Sequence, residues 1–194
     1  MPKTAIRKLA KPERRAQLIE TSKEILRECG GDALTLGHLA ERAGVSKPIA
    51  YEHFGTREGL LIALSREIEE RHTDKLKKAL LYTPADLSSV ADIIGSVYLA
   101  CAAENGSEWQ AMSSALRGNA EMDRVQQELA DDYVALIGAA IAPFSTLTED
   151  DLRLRCAGIA GAAEAIAREF VRGRATEDDA AANLAALIVN GAVA

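Results

Sequence analysis

The segment TLGHLAERAGVSKPIAYEHFGTREGLL, Thr35 to Leu61, decides how the rest of this chain is read. Leu36, Leu39, Ala40 and Ala43 recur at helical spacing, and the pattern stops at Gly44, where a left-handed turn residue ends a helix. Thr35 can cap that short helix and Ser46 the next. Pro48 falls in the first turn of the second helix, where its missing N–H is harmless, and this helix closes at Phe54-Gly55. Two short helices joined by a tight glycine turn make a helix-turn-helix, whose second helix is free to enter the major groove of DNA. Ala40 and Ala43 must be small where the two helices cross, and Leu39, Val45, Ala50 and Phe54 point inward. Ser46, Lys47, Pro48, Ile49, Tyr51 and His53 are then left outside or at the rim. Lys47, Pro48 and Ile49, on the first turn, are candidates for reading base edges: a lysine can donate to guanine O6 and N7, and the other two can pack on a thymine methyl.

Outward from this segment, helical periodicity runs nearly throughout the 194 residues, and no stretch keeps the strict alternation of a half-buried strand. Alanine is abundant and aromatics make up only 4% of residues, which also points to an all-α protein. About nine helices are expected. The first runs from about Pro12 to Cys29, with Leu18, Ile25, Leu26 and Cys29 on one stripe, and stops at Gly30-Gly31. After the helix-turn-helix, a long fourth helix opens at Thr56, and a fifth begins at Thr83-Pro84 and holds Leu87 to Cys101. Ser107 and Gln110 suggest a capping box for a short sixth, Asn119 caps a seventh, and the last two span about Thr148 to Arg172 and Thr176 to Asn190. The expected division is a DNA-binding domain with a basic arm at residues 1–56 and a larger helical domain at 57–194.

Net charge is -6, which taken alone argues against a nucleic-acid partner, but its distribution does not. Residues 1–60 carry 11 Lys/Arg against 8 Asp/Glu, and residues 61–194 carry 12 against 21. Only the N-terminal end suits a polyanion. The basic start, Arg7 to Arg15, is a candidate flexible arm for phosphate or minor-groove contacts. Cys29, Cys101 and Cys156 are far apart and set in apolar pattern, so they read as core residues in a reducing compartment, with no metal site or disulfide framework. No apolar run reads as a membrane span and no signal peptide precedes the first helix, so a cytoplasmic protein with no membrane partner is expected. Catalytic residues and cofactors are not indicated: HExxH, CxxC, GxSxG, P-loop and GxGxxG patterns are missing, and His72-x-Asp74 reads as a solvated pair on a charged helix.

Thr35 to Leu61 also resembles the DNA-binding segment of the TetR family of transcriptional regulators, through T-x-x-x-[IL]-A, A-G-V-S, Y-x-H-F and a capped [ST]-[KR]-E in order and at the right spacing. The resemblance implies that Thr35, Ser46, Tyr51 and His53 meet DNA phosphates, and that Arg57, in place of the more usual lysine, clamps another. Glu52 stands where the family is often aromatic or polar; it either accepts from cytosine N4 or points to solvent. Further, the resemblance implies a homodimeric, ligand-responsive repressor on a pseudo-palindromic double-stranded operator. An unidentified small-molecule effector would move the fourth helix and spoil the spacing of the recognition helices.

The family pattern places a ligand pocket among the middle helices and a dimer interface on the last two. For the pocket, Tyr98, Cys101, Trp109, Met112, Met122 and Tyr133 supply aromatic, sulfur and hydroxyl character, although such residues also make ordinary core. Glu104, Glu108 and Glu164 would recognise a cation if buried, and otherwise form a solvated face. For the interface, Gly158 and Ala162 allow close helix approach, and Leu154, Ile159, Ile166 and Phe170 supply area, joined by Leu184, Leu187 and Ile188 of the last helix. An intrachain bundle is the other reading of those helices. A helical interaction protein without DNA binding and a helical enzyme remain as alternative functions.

Overall fold

The computed structural model describes residues 9–115 and 120–193, the side chains of 107–115 excepted. Among the described residues there are eight α-helices and no strand: α1 (Lys11–Cys29), α2 (Leu36–Arg42), α3 (Lys47–Phe54), α4 (Arg57–Leu80), α5 (Leu87–Ala115), α6 (Ala120–Ile141), α7 (Glu149–Val171) and α8 (Glu177–Ala192). Most boundaries follow local chemistry. Thr35, Thr148 and Thr176 accept from the backbone N–H three residues on, at 3.1 to 3.2 Å, and Gly30, Gly44, Gly55 and Gly173 take positive φ where helices stop.

The all-α expectation holds, with one helix fewer. Residues 87–115 form a single helix, so Ser107 starts nothing. Gly106, just before Ser107, is a point of close approach: a β-carbon there would lie 2.8 Å from Cγ2 of Val171 on α7. The fifth helix begins later than Thr83-Pro84, at Leu87, with Asp86 before it accepting from the Ser89 N–H at 2.9 Å, a bond that holds its carboxyl below the usual range. Asn119, the expected cap of the following helix, lies outside the described residues.

The chain divides into two compact units, Met1–Ser65 with Ser107–Arg117, and Arg66–Gly106 with Gly118–Ala194. In the first, Leu18, Ile25 and Leu26 of α1 are buried with Leu34, Leu39, Ala40, Ala50, Phe54 and Leu60. Cys29, placed on the same stripe by spacing, is exposed at the helix end. Lys11, Arg14 and Arg15, expected in a flexible arm, belong to α1, because Pro12 sits harmlessly in its first turn. Arg7 and Lys8 lie outside the described residues.

In the second unit a core gathers Leu76 of α4, Ile94 and Leu99 of α5, Tyr133 and Ile137 of α6, Cys156 and Ala163 of α7, and Leu184 and Ile188 of α8. Small residues let these helices close: a β-carbon on Gly95 would lie 2.8 Å from the Ala181 carbonyl oxygen of α8. Contrary to the expectation from sequence, one apolar run does reach membrane-spanning length. Leu87–Gly106, with mean hydropathy 1.3, is by length and composition apolar enough to cross a membrane. Its Val90, Ala91, Ile94 and Leu99 are buried in this core.

Candidate functional site

The α2–α3 turn is built by Gly44, whose positive φ lets the Val45 N–H reach the Ala40 carbonyl at 2.9 Å. Three side chains of α1 and one of α2 then fasten the motif. Arg15 donates to the His53 carbonyl at 3.1 Å and lies 5.0 Å over the Phe54 ring, Gln17 reaches the Ala43 carbonyl at 3.4 Å, and Arg42 pairs with Glu28 at 2.8 Å. Lys11 pairs with Glu52 at 3.2 Å, with both side chains largely in water. The open role of Glu52 is therefore, in this structure, an exposed ion pair with α1.

With Ala50 and Phe54 turned into the core, α3 presents Ser46, Lys47, Pro48 and Tyr51 to solvent, Tyr51 at 53% exposure, while Ile49 and His53 are half-buried. Ser46 stands at the N-cap without using its hydroxyl to cap. Lys47 leans back over α2: a β-carbon on Gly37 would meet Lys47 Cε at 3.7 Å and Thr35 Oγ1 at 3.9 Å. Burial lowers the pKa of His53, so its imidazole is biased toward the neutral form. Arg57 is committed elsewhere, donating from Nε to the Leu34 carbonyl at 2.8 Å and from Nη2 to the Gly31 carbonyl at 2.7 Å. Its fork ties the α1–α2 connection to the start of α4. Thr56 caps α4, accepting from the Gly59 N–H at 3.0 Å.

In the second unit, Tyr98 and Tyr133 meet as expected, but the residue that joins them is His72. Its ring centroid lies 5.4 Å from that of Tyr98 and 5.2 Å from that of Tyr133, and the two tyrosines are 5.7 Å apart. His72 is only 4% exposed, which overturns its reading as a solvated residue. The spacing signal was present: Ile68, His72 and Leu76 recur every four residues on one face of α4. Glu69 stands beside it, Oε1 3.7 Å from His72 Nδ1. Burial, with Asp132 adding like charge, pushes the Glu69 carboxyl up to about 7, and burial with Lys75 nearby brings His72 down to about 4. Burial also raises the Tyr98 and Tyr133 hydroxyls, and takes the Cys101 thiol up to about 11. Met122 is buried on α6, about three turns from Tyr133. The side chains of Trp109, Met112 and Glu108 lie outside the described residues. Glu104 and Glu164 are exposed and paired, with Lys75 and Arg168 respectively, so neither is a buried cation receptor.

The description "Bacterial regulatory proteins, tetR family" matches residues 18–64, the helix-turn-helix and its supports. The transcriptional regulator BetI of Vibrio campbellii is 26% identical over 194 residues, covering 98% of this chain and 93% of that protein. Residues 18–64 thus form a DNA-binding segment of the TetR type. The transcriptional activator FasR of Mycolicibacterium smegmatis is 38% identical over 69 residues, a match that spans 36% of this chain and 30% of FasR. In fold, the chain is similar to the crystal structure of the regulator FadR from Bacillus subtilis in complex with stearoyl-CoA: TM-score 0.76, 18% identity, 91% of this chain and 98% of that one covered.

The last two helices carry an exposed apolar surface that includes only some of the residues expected at a dimer interface. Leu154 is 68% and Leu187 45% exposed, and they line a groove of about 500 Å³ with Gly158, Ile159, Ala162 and Gly191. Leu184 and Ile188 point the other way and are fully buried in the chain's own core, so a partner cannot reach them. Ile166 and Phe170 are half-buried against that core. On α8, Leu187 is turned only about 60° from Leu184 and about 100° from Ile188, so spacing alone groups it with them and only packing shows that it lies at the exposed edge.

Proposed function

We propose that the protein is a homodimeric transcriptional regulator of the cytoplasm that binds a pseudo-palindromic operator and releases it when a small molecule occupies the second unit. The observation that carries this reading is the solvent-facing turn of α3, in which Ser46, Lys47, Pro48 and Tyr51 are exposed on a helix held against α1. The lean of Lys47 toward Thr35 suits one phosphate held by both, leaving Pro48 and Ile49 for base edges. Arg57 acts through the fold, holding the α1–α2 connection, in place of clamping DNA.

Reading two successive major grooves requires two recognition helices about 34–36 Å apart, hence two copies of the chain, and the groove of Leu154, Gly158, Ala162 and Leu187 is the surface we assign to their pairing. Repression by release needs the two units to be coupled, and α4, a single helix that carries Arg57 near its start and Glu69 and His72 further along, is the element we assign to that role. That FadR of Bacillus subtilis is seen with stearoyl-CoA supports an effector-binding role for the larger unit. The test is a salt-dependent titration of the protein against DNA upstream of its own gene, beside a scrambled duplex. Preferential, salt-weakened binding that is lost with Tyr51→Ala and Lys47→Ala supports the regulator. If no duplex selected from a random pool is bound preferentially, the reading fails.

A further inference from the structure

We propose that Glu52 is the residue of α3 that reads a base by hydrogen bond, accepting from the N4 amine of a cytosine in the major groove, with Lys11 as its positioning partner. This rests on the regulator reading and deepens it by naming the base that the recognition helix takes. Ala50 and Phe54, both buried, fix the inward direction of α3. At 100° per residue, Glu52 lies about 180° from that direction, Pro48 about 140° and Ile49 about 120°, whereas Tyr51 and His53 lie at about 80°, on the two edges. The stripe turned most squarely away from the core is therefore Pro48, Ile49 and Glu52. Of these three, only Glu52 has a side chain that can form a hydrogen bond, so the other two meet bases through apolar contact alone.

Nothing in the fold asks for an acid there. The Lys11–Glu52 pair is exposed, over 70% of the lysine side chain and 64% of the glutamate, and pairs of that kind contribute little to stability. Unaccompanied, the carboxylate would also be repelled by the phosphates that wall the groove. Lys11 offsets that repulsion. It is the first residue of α1, and its Nζ donates to Glu52 Oε1 at 3.2 Å. An ammonium has three donors and a carboxylate two oxygens, so one such bond leaves capacity at both ends. Lys11 keeps N–H groups for a phosphate, and Glu52 keeps Oε2, which has no partner among the described residues, for a base. Arg15, one turn along α1, donates to the His53 carbonyl at 3.1 Å, so the helix that carries Lys11 is fixed to the reading helix.

The chemistry of the carboxylate selects the base. Ionised, it only accepts, and the amines displayed in the major groove are cytosine N4 and adenine N6. Adenine sets its N7 acceptor beside that amine, against the second carboxylate oxygen, whereas cytosine has no such neighbour. Glutamine, with one oxygen and one amide N–H, matches the adenine edge instead.

The experiment is selection from a random duplex pool by the full chain, followed by affinities for the selected duplex and its single-base changes, with Glu52→Gln, Glu52→Ala and Lys11→Ala beside it. Both side chains are exposed, so all variants should keep the circular dichroism and Tm of the parent. The parent chain is expected to prefer cytosine at one position of each half-site, by about tenfold over other bases. Glu52→Gln should move that preference to adenine. Glu52→Ala should abolish it at that position alone and bind scrambled DNA at least as tightly as the parent. Lys11→Ala should weaken every duplex, lower the salt dependence by about one counterion and reduce the cytosine preference. Identical base preferences for the parent, Glu52→Gln and Glu52→Ala overturn the assignment, as does a preference set by Glu52 for any base but cytosine. A parent chain that selects no duplex sinks the regulator reading itself, whereas a selected duplex read without Glu52 sinks this inference alone.

Discussion

Tyr51 and Arg57 stand six residues apart and were given the same phosphate-binding role by resemblance, yet their side chains have opposite fates. Tyr51 projects into solvent, and Tyr51→Phe, which removes only the hydroxyl, should weaken DNA binding about equally for preferred and scrambled duplexes without changing the melting temperature. Lys47→Ala should do the same and lower the salt dependence by about one counterion, whereas Ile49→Ala should change which duplex is preferred. Arg57, by contrast, donates to the Leu34 and Gly31 carbonyls, and Arg57→Ala should cost about 2–3 kcal/mol in urea unfolding. Lysine should restore little of that, because one ammonium does not reproduce the fork. Glu69 and His72 make stability depend on pH in opposite senses. Glu69 ordinarily titrates near 4.5 and in the fold near 7, so the folded chain holds this proton more tightly. Its contribution is most favourable below 4.5 and declines as pH rises through 7. His72 drops from 6.5 to about 4, so the unfolded chain holds that proton more tightly and stability falls as pH falls from 6.5 through 4. Glu69→Gln should therefore raise stability at pH 8 by about 2–3 kcal/mol and change it little at pH 4, read from unfolding curves at both.

Among elements, the corner between α3 and α4 is the one whose geometry leaves least room. Gly59 lies in the first turn of α4, where alanine would ordinarily be about 1 kcal/mol better for a helix. Here a β-carbon would run into the Phe54 carbonyl oxygen, a backbone atom that cannot step aside. Gly59→Ala should thus destabilise the protein by at least about 2 kcal/mol and weaken operator binding in the surviving folded fraction. Gly161 of α7, with nothing within 4 Å of its would-be β-carbon, is the control: the same change there should stabilise by about 0.5–1 kcal/mol. Gly106 and Gly59 look alike in sequence, as breakers near a cap. One is inside a long helix against Val171 and the other forms a corner, and no local pattern distinguishes them.

For the whole molecule, the groove on α7 and α8 should close on a second copy. Leu154→Glu with Leu187→Glu places charge on that surface and leaves the buried Leu184 and Ile188 untouched. A folded monomer by sedimentation, with unchanged circular dichroism and operator affinity lower by at least about a hundredfold, is the expected outcome. A double variant that still sediments as a dimer would place the interface elsewhere.

By itself, the sequence determined the all-α class, the helix-turn-helix and which face of α3 is exposed. Caps, glycine turns and a 3.6-residue period act within a few residues, so Thr35, Gly44, Ala50 and Phe54 announce their roles locally. Tertiary structure alone decided that Arg57 is spent on carbonyls, that Gly106 does not end a helix, and that His72 completes a ring cluster with Tyr98 and Tyr133. It also decided which leucines of α8 face inward. Each of these depends on a partner from a distant part of the chain, and burial of a polar or apolar side chain is set by what packs over it rather than by its neighbours in sequence.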